Sequence, residues 1–235
     1  MLERILEPEV MDTEAEAMDY DAMDFQAVNL AFAQRACQLG PSKATVLDAG
    51  TGTARIPILL AQLRPAWQIT AIDFARSMLA IAKENVMAAG CESQICLEFV
   101  DAKQLPYANA SFDGVIANSL CHHLPRPLDF LREVKRVLKP HGFLLIRDLI
   151  RPESPEKLAD LVTAIGSDYN DQQRKLFADS LQASLTMAEV QAYLQHLGWV
   201  GDGGANFGLH LYQSSDRHWT MEKPFENGPK MEANS

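Results

Sequence analysis

Basic charge is scarce in this chain. Its 235 residues carry 21 Lys and Arg against 31 Asp and Glu, a net charge of −10. A nucleic-acid binder normally shows a basic footprint, so the charge argues against that class. Cysteine is scarce too. Cys37, Cys91, Cys96 and Cys121 follow no zinc-ligand spacing, and a chain of this length buries a core without disulfides or metal. Free thiols in a reducing cytoplasm are expected, with Cys121 a buried structural thiol. No His/Cys/carboxylate spacing suggests a metal site, so none is expected. No eighteen-residue apolar run exists to cross a membrane. The first 21 residues lack the apolar stretch of a signal peptide, which again points to the cytoplasm. No G-x-x-x-x-G-K-[ST] phosphate loop occurs.

The acidity that is present is uneven. Residues 1–24 hold nine acids against Arg4 alone, a net of −8, while the remaining 211 residues carry only −2. Such an arm reads as a solvated helix face, or more sharply as a lid over a site. From residue 44 short apolar runs recur: Ala44–Asp48, Trp67–Asp73, Ile95–Asp101, Phe112–Asn118 and Phe143–Asp148. Runs without alternation suit strands buried on both faces of a sheet. Between them Ala54–Leu63, Ser77–Ala89 and Leu128–Leu138 have helical spacing. Strict alternation of this kind implies βαβ units, hence an α/β fold, doubly wound on a mostly parallel sheet with helices on both faces. Beyond Asp148 the spacing predicts a helix capped by Ser154, a second over Gln172–Leu185, and a third opened by the capping box Thr186/Glu189. Two weaker strands are expected near Trp199–Phe207 and His218–Glu222. The resulting division is an N-terminal helical arm or lid (1–43), a core (44–150), a helical insertion over a pocket (151–185), a last helix with C-terminal strands (186–223) and a mobile tail (224–235).

Ligands of parallel α/β sheets bind at the carboxyl ends of the strands. There the chain reads Asp48-Ala49-Gly50-Thr51-Gly52-Thr53-Ala54. Gly50 permits a tight turn, and Gly52 lets the backbone approach a ligand at the start of a helix. A dinucleotide fingerprint would need a small residue where Arg55 stands, so NAD and FAD are disfavoured. Asp73 ends the second run, 21 residues after Gly52, where a carboxylate accepts hydrogen bonds from ribose hydroxyls. Asp101 ends the third run and suits an exocyclic amine, while Asp48 suits a ligand ammonium. The set describes a nucleoside with a cationic arm and no phosphate.

The motifs VLDAGTGTA, AIDFARSML, FVDAKQLPYANASFDGVIAN and LREVKRVLKPHGFLLIRDLIRP, in this order, resemble class I S-adenosylmethionine-dependent methyltransferases. The group most resembled includes the quinone-biosynthesis and other small-molecule methyltransferases. The resemblance is strong over residues 44–150. It implies a Rossmann-like seven-stranded sheet with an antiparallel last strand, and S-adenosylmethionine as cofactor, leaving S-adenosylhomocysteine. Carried over by match, Asp48, Ala49, Gly50, Thr51 and Gly52 line the methionine end. Asp73 holds the ribose, with Phe74 beside the adenine and Asp101 and Ala102 at its edge. Asn118 and Ser119 border the sulfonium, and Tyr20 matches a tyrosine that caps the cofactor. The family often has glycine where Ala54 stands, and alanine is expected to fit.

Methyl transfer is an in-line displacement, so positioning does much of the work and a base is needed only if the acceptor loses a proton. His122, His123 and Asp148 are the candidates, the alternative being that a histidine merely packs or caps the cofactor wall. Tyr169, Asn170, Gln172, Gln173, Phe177 and Ser180 are placed by chain position to line an acceptor pocket, and His210 and His218 read as solvated or packing residues. The segment after the fourth strand, Asn118-Ser119-Leu120-Cys121, lacks the prolines and aromatic ring of adenine-amino methyltransferases, the carboxylates of catechol-type enzymes and the acid of polyamine synthases. The expected partner is a small-molecule acceptor, with no nucleic acid and no membrane span, and the chain a monomer or homodimer. A protein that binds S-adenosylmethionine without chemistry, as a sensor or assembly partner, is the alternative, but it would carry a damaged cofactor loop.

Overall fold

The computed structural model describes residues 2–7, 12–23, 25–164, 170–199 and 208–226. Two helices, α1 (Glu14–Asp21) and α2 (Gln26–Leu39), precede the alternating core. The core runs β1 (Ala44–Ala49), α3 (Arg55–Leu63), β2 (Trp67–Asp73), α4 (Arg76–Ala88), β3 (Ile95–Phe99), β4 (Phe112–Asn118), a single 3₁₀ turn (Cys121–His123), α5 (Pro127–Val137) and β5 (Leu138–Leu149). There follow α6 (Pro155–Ala164), α7 (Asp171–Ala183), α8 (Met187–His196), β6 (His210–Gln213) and β7 (His218–Lys223).

The strands form one seven-stranded sheet in the order β3-β2-β1-β4-β5-β7-β6. The first five pair in parallel, and β7 runs antiparallel to both β5 and β6. Strand order reverses between β1 and β4, so the carboxyl ends of these two strands open a crevice. Alternate residues of each strand enter different cores. Val46, Ile69, Ile116 and Leu145 meet α2, α3 and α4 on one face. Leu47, Ile72, Val115 and Leu144 meet α5 and α8 on the other. Burial on both sides is the reason these runs are apolar throughout. On the first face the Phe143 ring lies against Trp67 at 5.3 Å and fills the space over Gly114, where an added Cβ would come within 2.0 Å of it.

Several boundaries differ from the sequence reading. β3 ends at Phe99 because Asp101 turns back to cap its own loop, accepting from the Lys103 amide at 2.8 Å. β5 begins at Leu138, where a helix end and turn were expected, because Leu138 already pairs with Phe112 across a register irregularity. The strand before β7 is His210–Gln213; of the expected Trp199–Phe207 run, residues 200–207 lie outside the described residues. The start of the tail is tied down: the Phe225 amide donates to Leu39 and that of Glu226 to His141. The rest of the tail, 227–235, lies outside the described residues. Among the described residues no helix is long and apolar enough to cross a membrane.

Candidate functional site

The loop between β1 and α3 holds three left-handed residues in five positions: Gly50 at φ 71°, Gly52 at 55° and Ala54 at 62°. The amides of Gly50 and Thr51 both donate to the Ile72 carbonyl at 2.9 Å, which folds the loop over the end of β2. Gly52 then turns its amide to Asp73 Oδ2 at 2.8 Å, while Asp73 Oδ1 accepts from Ala75 at 2.9 Å. The Asp73 carboxylate is thus fixed by backbone donors, with further lone pairs for a ligand diol. Burial raises its pKa, against those two bonds. Ala54 sits on a left-handed backbone, which costs an alanine free energy that a glycine avoids.

Asp48 is buried at the end of β1, and its Oδ2 has no hydrogen-bond partner. Burial, with the charge of Asp73 adding to it, pushes the carboxyl up to about 7. A buried acid so placed accepts a cationic group readily, and the ammonium of S-adenosylmethionine answers that description. The residues present therefore fit the cofactor that the resemblance implies. Asp48, Gly50, Thr51 and Asn118 line one cavity, closed by Tyr20 from α1 and by Leu59 from α3. The Tyr20 hydroxyl is pushed up to about 12 by burial and by the charges of Asp73, Asp21 and Asp48.

Of the remaining calls, Asn118 lines this cavity. Ala49 is buried at the strand end. Phe74 is exposed and stacks on Phe99 at 5.0 Å, with Lys103 Nζ over its ring at 5.8 Å. Asp101 pairs with Lys103 Nζ at 3.0 Å beside the buried Ala102. Asn118 accepts from Arg147 Nε at 3.0 Å, and Ser119 is held left-handed at φ 58°. Of the acceptor-pocket candidates, Asn170 and Gln173 make the capping box of α7, and Phe177 packs with Leu158 beside the Leu149, Leu161 and Leu181 cluster. Ser180 reaches Glu7 at 3.2 Å. Tyr169 and the side chain of Gln172 lie outside the described residues. His218 is bound to Ser215 at 2.8 Å.

The histidines occupy a second cluster, after β4. His122 Nδ1 donates to Asp148 Oδ1 at 2.6 Å, and Asp148 also accepts from the amides of Leu149 and Cys121. Burial alone would lower the His122 pKa, but Asp148 and then Glu7 outweigh it and raise it; His122 in turn holds Asp148 below the carboxylate range despite burial. His123 is pushed down by burial and by the neighbouring His122. Glu7 lies 2.9 Å from His123 Nδ1 and 3.6 Å from His122 Nε2. The sequence reading missed Glu7, which lies far from the histidines along the chain. It also missed Asp21, which grips Arg55 at 2.6 and 2.9 Å and accepts from Asn85 at 3.2 Å, docking α1 beside the glycine loop. Arg55 thus turns outward to the arm.

Comparison with known proteins gives four findings. Residues 47–146 match the family model described as "Methyltransferase domain". A 112-residue stretch is 37% identical to the ubiquinone/menaquinone biosynthesis C-methyltransferase of Desulfotalea psychrophila, covering 48% of this chain and 44% of that one. A 156-residue stretch is 29% identical to the 27-O-demethylrifamycin SV methyltransferase of Amycolatopsis mediterranei, covering 65% and 53%. The chain thus spans about half the length of the curated relatives it matches. Among solved structures, a SAM-dependent methyltransferase from Aquifex aeolicus superposes with a TM-score of 0.64 over 91% of this chain and 99% of that one, at 19% identity, a likeness of fold.

Proposed function

We propose that the protein, whose residues 47–146 match a methyltransferase domain, is a class I S-adenosylmethionine-dependent enzyme that moves a methyl group to a small-molecule acceptor by in-line displacement. The observation that carries this reading is the buried Asp48, with an unpartnered oxygen, beside a glycine loop pinned by Asp73. The cofactor supplies a methyl carbon already activated by a sulfonium. Asp48 holds its ammonium, Asp73 its ribose, and Phe74, Asp101 and Ala102 its base. Asn118 and Ser119 border the reacting end, where the Arg147 contact keeps the Asn118 amide from rotating.

Beyond that end stand His122, His123 and Asp148. Asp148 is the positioning residue, since its contact fixes the His122 ring. Acceptor and methyl carbon must meet at about 3–3.5 Å, and a base is needed only where the acceptor loses a proton. The two curated relatives bear names for carbon and oxygen methylation, so the match leaves the acceptor atom open.

Calorimetric titration with S-adenosylmethionine, S-adenosylhomocysteine and NADH tests the reading. Micromolar binding of both sulfur compounds is expected, weakened at least about tenfold in Asp73→Ala through loss of a charge-assisted contact worth about 1.5–3 kcal/mol. Binding of NADH without response to either sulfur compound would sink it.

A further inference from the structure

The cluster after β4 is built in a way that proton handling alone does not explain. Asp148 is held by three donors, and it spends one oxygen on fixing a single tautomer of His122. That leaves Nε2 as the free nitrogen of His122. His123 Nδ1 is buried, and the polar atom it faces is Glu7 Oε1 at 2.9 Å. Three potential ligand atoms, two nitrogens and one carboxylate oxygen, therefore lie within 4.8 Å of one another.

We propose that Glu7, His122 and His123 form a site for one divalent transition-metal ion of the zinc type, with Asp148 as the outer carboxylate that orients His122. Atoms bound about 2.0–2.2 Å from such an ion stand roughly 3–3.5 Å apart. The Glu7 oxygen is 2.9 Å from one nitrogen and 3.6 Å from the other, and the three atoms lie within 4.8 Å of one another. A carboxylate holding the second nitrogen of a ligating imidazole is the usual support of metal-bound histidine. Two imidazoles favour zinc, cobalt, nickel or iron over magnesium and calcium, which take oxygen ligands. Three protein ligands leave a position open, as in sites that bind a substrate or water.

The third ligand is delivered by the N-terminal strap, and the strap is anchored for it. Arg4 Nε donates to Ala183 at 2.6 Å and its Nη2 to Leu124 at 3.0 Å, and Ser180 Oγ meets Glu7. The use of the ion rests on the methyl-transfer reading and narrows its acceptor to a hydroxyl compound. The acceptor oxygen occupies the open position and its proton passes to solvent. Its electron pair then forms the bond to the methyl carbon, while the carbon–sulfur pair returns to sulfur.

Metal-stripped full-length protein is titrated with Co²⁺ and then Zn²⁺. The expected result is one Co²⁺ per chain, with the visible absorption of a four- or five-coordinate site, displaced by Zn²⁺, and a melting temperature raised by Zn²⁺. Glu7→Gln and His123→Asn each weaken Co²⁺ binding at least about tenfold, since loss of even an outer-shell partner costs about 10–100-fold in metal affinity. Absence of binding tighter than millimolar in the wild type would overturn the site. So would stoichiometric binding that survives both variants, since the ion would then lie elsewhere. S-adenosylmethionine binding, measured on the same samples, separates the two readings. Metal bound without cofactor binding removes the methyl-transfer reading and leaves the site; cofactor bound without metal does the reverse.

Discussion

If Asp48 holds the cofactor ammonium as proposed, it sets function against stability at one carboxyl. Its pKa is about 7 in the fold and 3.8 as the ordinary reference, so the unfolded chain gives up the proton first. Folding stability from this group is fully present below about pH 4, is lost as pH rises toward 7, and is flat beyond. Cofactor binding asks for the opposite state, because an ammonium pairs only with the ionised acid. Affinity for S-adenosylmethionine is therefore expected to fall below pH 7, by up to about tenfold per pH unit. Asp48→Asn should flatten that profile and weaken binding at pH 8. It should also raise the melting temperature of the cofactor-free protein at pH 8 by about 2–4 °C per kcal/mol recovered. Calorimetry across pH 6–8 with thermal melts checks both signs. The sequence placed Asp48, Asp73 and Asp101 at strand ends, because each closes an apolar run. It could not show that Asp48 keeps an oxygen unpartnered, which depends on side-chain direction in the folded crevice.

At the scale of the element, helix α3 begins on a strained residue. Ala54 is its N-cap at φ 62°, and no side chain caps the first turn. A left-handed alanine costs about 1–2 kcal/mol that glycine avoids, offset in part by the greater freedom of glycine when unfolded. Ala54→Gly should thus stabilise the protein by about 1 kcal/mol, seen as a melting temperature about 2–4 °C higher. An unchanged or lower value would show that the loop relaxes in solution. Helices with local signatures were legible, since Thr186 and Glu189 make the capping box that their spacing announces. The box of α7 at Asn170 and Gln173 is also local, yet both had been assigned to a pocket by position alone. The early start of β5 was hidden, because Lys139, Pro140 and Gly142 have turn chemistry and only pairing with β4 draws them into the sheet.

For the whole molecule, the acidic arm is the instructive part. Its charge run reads as a solvated face, yet several acids have separate tasks. Asp12 accepts from the Ser77 amide, Glu16 completes the α1 capping box, Asp21 clasps Arg55, and Glu7 meets the histidines. None of these partners is near in sequence except the capping pair, which is why composition could not assign them. The clasp is an exposed ion pair and is worth at most about 1 kcal/mol to the fold. Its effect should appear in binding, because α1 carries Tyr20 to the cavity. Asp21→Ala is expected to raise the dissociation constant for S-adenosylmethionine about three- to tenfold, as the binding-competent docked arm becomes less populated. The melting temperature should move by less than about 2 °C. Calorimetry and limited proteolysis of the arm test this; a large melting shift would make Asp21 a general support of the fold.

Helix α2 is gripped from far along the chain: Arg35 pairs with Glu222 on β7, and the Leu39 carbonyl receives the Phe225 amide. During synthesis an early helix therefore waits for partners that leave the ribosome about two hundred residues later. Until then its apolar face, with Phe32 and Ala36, has only part of its cover. A nascent chain stalled before β7 should accordingly be a client for chaperones that bind exposed apolar helices. Release of the last strand would then be the step that ends that dependence.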